Sequence, residues 1–237
     1  MQREYHKWYS PSLGRDMELL IFGHAGAPVL MFPTSMGRFY ECEDMGMINA
    51  LADKIEAGFI QVYCVDSVDI ESWYNWYASP GWRIGRHVAY DRYLHDEVLP
   101  LIGNLNSNGY LITAGCSFGA FQAANFAFRH PWRVHKVVAM SGRYNMRGYL
   151  GDYYDDNVYF NSPLDYISGM QDGDYKNRLQ SMHLNFVAGG WDLPMCINET
   201  RQLHELLNSK GVGNNFEVWD DCGHDWHFWF RQIRKFI

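Results

Sequence analysis

The pentapeptide Gly115-Cys116-Ser117-Phe118-Gly119 constrains this chain more than any other feature, because of what flanks it. The apolar run Tyr110-Leu111-Ile112-Thr113-Ala114 before it reads as a buried strand, and Ala120 to Ala127 after it reads as a helix. A G-x-S-x-G pentapeptide between a strand and a helix makes a tight turn that holds its central residue at strained φ/ψ. Glycine is needed at both flanks, where a side chain would collide with the neighbouring strand or helix. The turn raises the Ser117 oxygen clear of the sheet and sets it beside the first backbone N–H groups of the helix, which favour negative charge. Strand, turn and helix together point to a nucleophilic serine. Cys116 touches Ser117 in sequence, but such a turn buries the residue before its centre, so a thiol nucleophile is not expected.

Hydrophobic patterning around this turn predicts the rest of the architecture. The chain opens with two antiparallel strands, about Arg3–Ser10 and Met17–Phe22, joined by a turn at Ser10–Gly14. A buried strand Val29–Phe32 leads into the loop Pro33–Tyr40, then an amphipathic helix near Asp44–Ala57 with Met47, Ile48, Leu51 and Ile55 on one face. Next come a strand Phe59–Val65, an aromatic loop Asp66–Trp82 and a helix of about twenty residues ending at Leu101-Ile102-Gly103. Beyond the pentapeptide, strands are expected at Val134–Met140, Leu184–Ala188 and Asn215–Trp219, with helices near Cys196–Ser209 and from Asp225 onward. Strands alternating with helices predict an α/β fold, a mostly parallel central sheet with helices on both faces and an N-terminal antiparallel strand pair. A length of 237 residues suits one domain over 1–237, with a cap-like or irregular insertion at about 143–183.

In such sheets, sites form at the carboxyl ends of strands, which narrows the search for partners of Ser117. A serine hydroxyl attacks at neutral pH only when a base takes its proton, and histidine suits that role. His224, in Asp220-Asp221-Cys222-Gly223-His224-Asp225-Trp226, directly follows the last expected strand. His227 lies about one turn into the helix, and His24, His87, His95, His130, His135 and His204 fall on expected helices or early loops, where packing or surface roles are expected. A carboxylate between serine and histidine in chain order should orient the imidazole. Asp192, after Phe186-Val187-Ala188-Gly189-Gly190-Trp191, meets that condition; Asp220, Asp221 and Asp165 are its rivals. Two backbone donors should face the developing oxyanion: the amide of Phe118, and that of Ser35 or Met36 in the loop after Phe32. His224-x-x-His227 with Asp225 crowds too much on one helix start for a metal site, so no metal is expected.

Bulk properties exclude several function classes. A net charge of −7 without any basic run argues against a nucleic-acid partner. The N-terminal segment is polar and no stretch reaches the ~20 apolar residues of a membrane span, so no membrane association is expected. Cys42, Cys64, Cys116, Cys196 and Cys222 are odd in number, widely spaced and without a CxxC pair, which favours free thiols and a reducing cytoplasm. Aromatic residues reach 16%, and several lie in expected loops, which suggests a binding surface.

With Ser117, Asp192 and His224 in that order, the chain resembles the esterase family of α/β-hydrolases that includes S-formylglutathione hydrolase (esterase D), feruloyl esterases and the mycolyltransferases. Pro33 to Glu41, Glu71-Ser72-Trp73-Tyr74 and Gly223-His224-Asp225-Trp226 look like stretches of bacterial esterases of that kind, and the resemblance runs over essentially the whole chain. It implies the α/β-hydrolase fold and a serine carboxylesterase that works through an acyl-enzyme on a small-molecule ester or thioester, with no cofactor. Acyl transfer to an alcohol, or a catalytically silent member that binds carbohydrate or a partner, are the competing readings. The loop after Phe32 departs from the family in lacking the His-Gly-Gly motif of many lipases, and the 143–183 segment matches no substrate-specific pattern. Trp73, Trp76, Trp191 and Trp226 sit in loops that belong at the rim of the cleft, so they are expected to wall it. Such a wall favours an acyl or alcohol group with an apolar or aromatic face, or a sugar ring.

Overall fold

The central strands, Ala27–Phe32, Ile60–Val65 and Leu111–Cys116, are buried on both faces, which is why they read as largely apolar runs. The computed structural model describes every residue, Met1–Ile237. Its strands are β1 (Arg3–Ser10), β2 (Arg15–Phe22), β3 (Ala27–Phe32), β4 (Ile60–Val65), β5 (Leu111–Cys116), β6 (Val134–Met140), β7 (His183–Trp191) and β8 (Asn215–Gly223). They form one eight-stranded sheet in the order β1-β2-β4-β3-β5-β6-β7-β8. β1 pairs antiparallel with β2, and β2 with β4; every other neighbouring pair is parallel. The fold is the α/β-hydrolase arrangement, with the antiparallel pair at its N-terminal edge.

The helices in chain order are α1 (Glu41–Asp44), α2 (Met47–Ala50), α3 (Ala52–Glu56), α4 (Pro80–Tyr93), α5 (Leu99–Leu105), α6 (Phe118–Arg129), α7 (Asp156–Tyr159), α8 (Pro163–Ser168), α9 (Asp174–Gln180), α10 (Pro194–Ser209) and α11 (Trp226–Phe236). Successive strand side chains point to opposite faces, and the two cores follow that rule. Leu30, Phe32, Tyr63, Val65, Val137 and Ala139 join the core beneath α4, α5, α6 and α10. Val29, Met31, Val62, Cys64, Val138 and Met140 join the other, beneath α1–α3 and α11.

Three stretches differ from the sequence reading, each for a local reason. The expected helix at 44–57 is broken into α1, α2 and α3: Gly46 turns into the left-handed region at φ +91° between the first two, and Leu51 leaves helical geometry at φ −105° and ψ 4° between the last two. The long helix starts at Pro80, and a π-helical stretch, Leu94–Val98, interrupts it just before Pro100. Proline has no N–H and its ring crowds the carbonyl four residues back, so the chain widens there, and Leu99 N–H bonds Leu94 O instead. The 143–183 stretch is not irregular: it holds α7, α8 and α9, and it sends Tyr144, Ile167 and Leu179 into the core shared with α6. β7 and β8 also run several residues beyond their expected ends, which places the residues that follow them.

Candidate active site

The turn at Ser117 has the strain its sequence implies. Ser117 sits at φ +54° and ψ −121°, immediately before α6. A Cβ on Gly115 would lie 2.3 Å from Gly119 O, and one on Gly119 would lie 2.5 Å from Pro33 O. Those contacts are with backbone, which cannot step aside, so the two glycines let strand, helix and the Pro33 loop close up together. Cys116 is buried below, and burial pushes its thiol well above the ordinary range, so it stays protonated and unreactive.

The register of β7 and β8 brings the other two groups to the serine. Trp191 pairs with Gly223 on these adjacent parallel strands, so Asp192 and His224 are the next residues on each. The close approach depends on Gly189, where a Cβ would lie 2.0 Å from Cys222 O. His224 Nε2 lies 2.9 Å from Ser117 Oγ, and His224 Nδ1 lies 2.7 Å from Asp192 Oδ1. Serine, imidazole and carboxylate thus form one hydrogen-bonded line. Trp229 packs edge-on against the imidazole, ring centres 5.0 Å apart at 84°.

Asp192 is fully enclosed and accepts from every side. Oδ1 also accepts Leu193 N–H at 2.7 Å, while Oδ2 accepts the Ser141 hydroxyl and Gly189 N–H at 3.3 Å. Burial works against its charge, but the bonds from His224 and Ser141 outweigh burial and hold the carboxyl below its ordinary range. Ser141 is itself buried, sits at φ +58° and accepts Trp229 Nε1–H at 2.9 Å. Neither Ser141 nor Trp229 stands out in the sequence; the one available hint is that Ser141 directly follows a buried strand at its carboxyl end. Ser141→Ala should lower kcat about tenfold, the value of a hydrogen bond to a charged group. Without the hydroxyl, Asp192 loses one of the bonds that hold its carboxyl low.

The loop after β3 separates the two oxyanion candidates. Met36, at φ +59°, gives its N–H to Asp69 Oδ2 at 3.2 Å. Ser35 N–H has no acceptor, and its hydroxyl lies 2.8 Å from Tyr74 Oη. Phe118 N–H, the first of α6, has no intrahelical partner either. Ser35 and Phe118 therefore each carry an unbonded N–H, while that of Met36 is spoken for.

The four tryptophans divide. Trp76 and Trp191 are exposed, at 61% and 68%. Trp73 is fully buried between His87, Phe121 and Tyr149, its carbonyl bonded by Arg83, so it supports the cleft from beneath and is corrected from wall to foundation. Trp226 is half-buried, packing edge-on against Trp229 and on the core under α11. Beside Ser117 the surface is made instead by Tyr74, which stacks edge-on against Phe118 at 5.2 Å and Tyr149 at 5.5 Å, with Trp76 stacked on Tyr149. Asp165 is taken up by Arg147, and Asp220 and Asp221 are exposed. His227 is exposed and faces Asp225. His87 is buried with neither ring nitrogen bonded, and burial drops its pKa to about 3, so it packs as a neutral ring.

Donor atoms of Asp192, Cys196 and His224 lie within 4.8 Å of one another. Their chemistry fits a proton line rather than a cation. His224 Nδ1 is committed to Asp192, and burial pushes the Cys196 thiol up to about 12, whereas a metal needs the thiolate. All five cysteines are unpaired, and no helix is long and apolar enough to cross a membrane.

The sequence profile of the Esterase family, described as "Putative esterase", matches residues 10–235. The chain belongs to that family and is a carboxylic ester hydrolase of the α/β-hydrolase fold. Among solved structures it is similar to a ferulic acid esterase, with TM-score 0.78 and 18% identity over 99% of this chain and 95% of that one. It is also similar to S-formylglutathione hydrolase from Staphylococcus aureus, with TM-score 0.69 and 14% identity over 99% and 96%. A ferulic acid esterase from the anaerobic fungus Anaeromyces mucronatus gives TM-score 0.68 and 13% identity over 100% and 89%. No curated protein matches the sequence.

Proposed function

We propose that the protein is a serine carboxylesterase in which Ser117 is the nucleophile, His224 the general base and acid, and Asp192 the group that orients His224. The reading is carried by the continuous line Ser117–His224–Asp192, with contacts of 2.9 and 2.7 Å. Ser117 Oγ adds to the ester carbonyl carbon as its proton passes to His224 Nε2. The carbonyl oxygen becomes an oxyanion that the amides of Phe118 and Ser35 receive, preformed donors that need no reorganisation. Collapse expels the alcohol, which takes the proton from His224 and leaves Ser117 acylated. Water then adds to the acyl-enzyme with His224 again as base, releasing the acid and restoring the hydroxyl. Asp192 keeps the proton of the resting imidazole on Nδ1 and stabilises the imidazolium.

The substrate is a small ester or thioester with a flat apolar group. The exposed faces of Trp76 and Trp191 and the Tyr74–Tyr149 cluster favour such a group, and two of the similar structures are described as ferulic acid esterases. Five buried, unpaired cysteines favour a reducing, cytoplasmic setting. A fluorophosphonate probe should label the folded protein on the peptide that carries Ser117, and p-nitrophenyl acetate should be turned over. A screen of aryl, alkyl and thiol leaving groups should then rank aromatic esters above plain acetyl ones. A folded protein that is neither labelled nor active refutes the proposal.

A further inference from the structure

A buried carboxyl group, Asp69, lies where the two elements that flank Ser117 meet. It sits in the loop after β4, is 1% exposed, and no cation pairs with it. Its Oδ2 accepts Met36 N–H at 3.2 Å, and its Oδ1 accepts Gln122 Nε2–H at 3.1 Å. Met36 is the neighbour of Ser35 and is held in the left-handed region, a conformation that a side chain adopts only under constraint. Gln122 lies one turn beyond Phe118 on the same side of α6, since positions four apart in a helix face the same way. The main chain of Asp69 adds a third tie. Its carbonyl accepts Tyr74 N–H at 2.9 Å, and Tyr74 Oη meets Ser35 Oγ at 2.8 Å.

We propose that Asp69 is a positioning residue for the oxyanion hole: one carboxyl group ties the Ser35–Met36 loop to α6 and so fixes the separation of the Ser35 and Phe118 N–H groups. This rests on the esterase reading of the site and adds the part that holds the two donors together. Donors that stabilise a transition state must already be in place when charge develops, because any movement at that moment costs part of their effect. A carboxylate suits the task because its two oxygens accept from opposite directions. Burial, and after it the nearby charges of Glu41 and Asp66, push this carboxyl up to about 7 against the pull of the Met36 and Gln122 bonds. Tyr74 and Tyr90 are the other titratable groups facing it. None of these neighbours is a cation, so the two N–H bonds are what hold the group.

The test compares Asp69→Ala, Asp69→Asn and Gln122→Leu with p-nitrophenyl acetate and with a trifluoromethyl ketone, whose hydroxyl adduct on Ser117 mimics the tetrahedral oxyanion. Asp69→Ala leaves Met36 N–H without an acceptor, and kcat should fall by roughly 30- to 100-fold while KM stays within about threefold, part of the loss of a whole donor. Affinity for the trifluoromethyl ketone should fall by a similar factor. Asn at 69 can still accept from Met36 and donate to the carbonyl oxygen of a turned Gln122, so Asp69→Asn should recover to within about fivefold of wild type. Gln122→Leu keeps the loop tie but cuts the link to α6, and should cost about tenfold in kcat. If Asp69→Ala fails to fold, Gln122→Leu decides. A folded Asp69→Ala or Gln122→Leu variant that keeps wild-type kcat, or one that loses activity through KM with inhibitor affinity intact, overturns the proposal. Failure of the underlying esterase reading looks different: the wild type itself would then show neither probe labelling nor turnover.

Discussion

Ser117→Ala should reduce kcat for p-nitrophenyl acetate by roughly 10^5- to 10^6-fold, the scale set by removing a serine nucleophile from a hydrolase that works through it. At ~1.4 kcal/mol per tenfold, that is about 7–8 kcal/mol of barrier. The size follows from what remains. His224 would have only water to activate, and water is neither held in line nor able to form the acyl-enzyme. The Phe118 and Ser35 amides and the aromatic surface are untouched, so substrate should still bind, and the loss should fall on kcat with KM nearly constant. Stability should not follow activity. The one side-chain bond of Ser117 is to His224, and alanine keeps the same strained φ of +54°, so Tm should stay within about 2 °C. Labelling by the fluorophosphonate should vanish. A folded variant that retains a tenth of wild-type turnover removes Ser117 from the reaction.

The proximity of Ser117, His224 and Asp192 was legible because each follows the carboxyl end of a strand that its pattern marks, an apolar run in β5 and β7 and the shorter Asn215–Trp219 stretch in β8. β6 was readable to the residue, since Val134–Met140 is bounded by polar positions and faces buried surface on both sides. What the sequence hid depends on contacts between distant segments. Which of the Ser35 and Met36 amides is left without an acceptor depends on Asp69, more than thirty positions away, which takes the Met36 N–H. Trp73 and Tyr74 are adjacent in one aromatic loop, yet Arg83 pins the carbonyls of Ser72 and Trp73 and turns Trp73 into the interior, leaving Tyr74 for Ser35. Loop membership says that a side chain is near the rim, not which way it points. Ser141 was invisible for a related reason: a serine after a strand is ordinary until the tryptophan of a later helix and the carboxylate of another loop arrive on either side of it.

Asp192→Asn should lower kcat/KM by about 10^3- to 10^4-fold, and its two possible amide orientations account for the range. With the Asn NH2 turned toward His224, two donors face each other, so the imidazole must carry its proton on Nε2, where it cannot accept from Ser117; the triad template sets that loss near 10^4. Leu193 N–H would also lose its acceptor at 2.7 Å. With the NH2 turned the other way, it meets Ser141, whose hydroxyl can rotate to accept it, and only the long Gly189 contact at 3.3 Å is given up. The oxygen then still faces His224 and the tautomer is kept. What is lost is the charge beside the imidazolium, worth about 4 kcal/mol for charges ~4 Å apart at an effective dielectric near 20, or close to 10^3-fold. The second orientation leaves fewer donors stranded, so the measured loss should lie toward the lower end. Adding Ser141→Ala to Asp192→Asn then removes the hydroxyl that accommodates the amide, and the activity of the double variant should drop toward the larger figure. Steady-state kinetics of the three variants read this out directly. A loss below about tenfold for Asp192→Asn shows that the carboxylate at 2.7 Å is not what holds His224 in its working state, and a double variant no worse than the single shows that Ser141 does not set the orientation of the amide.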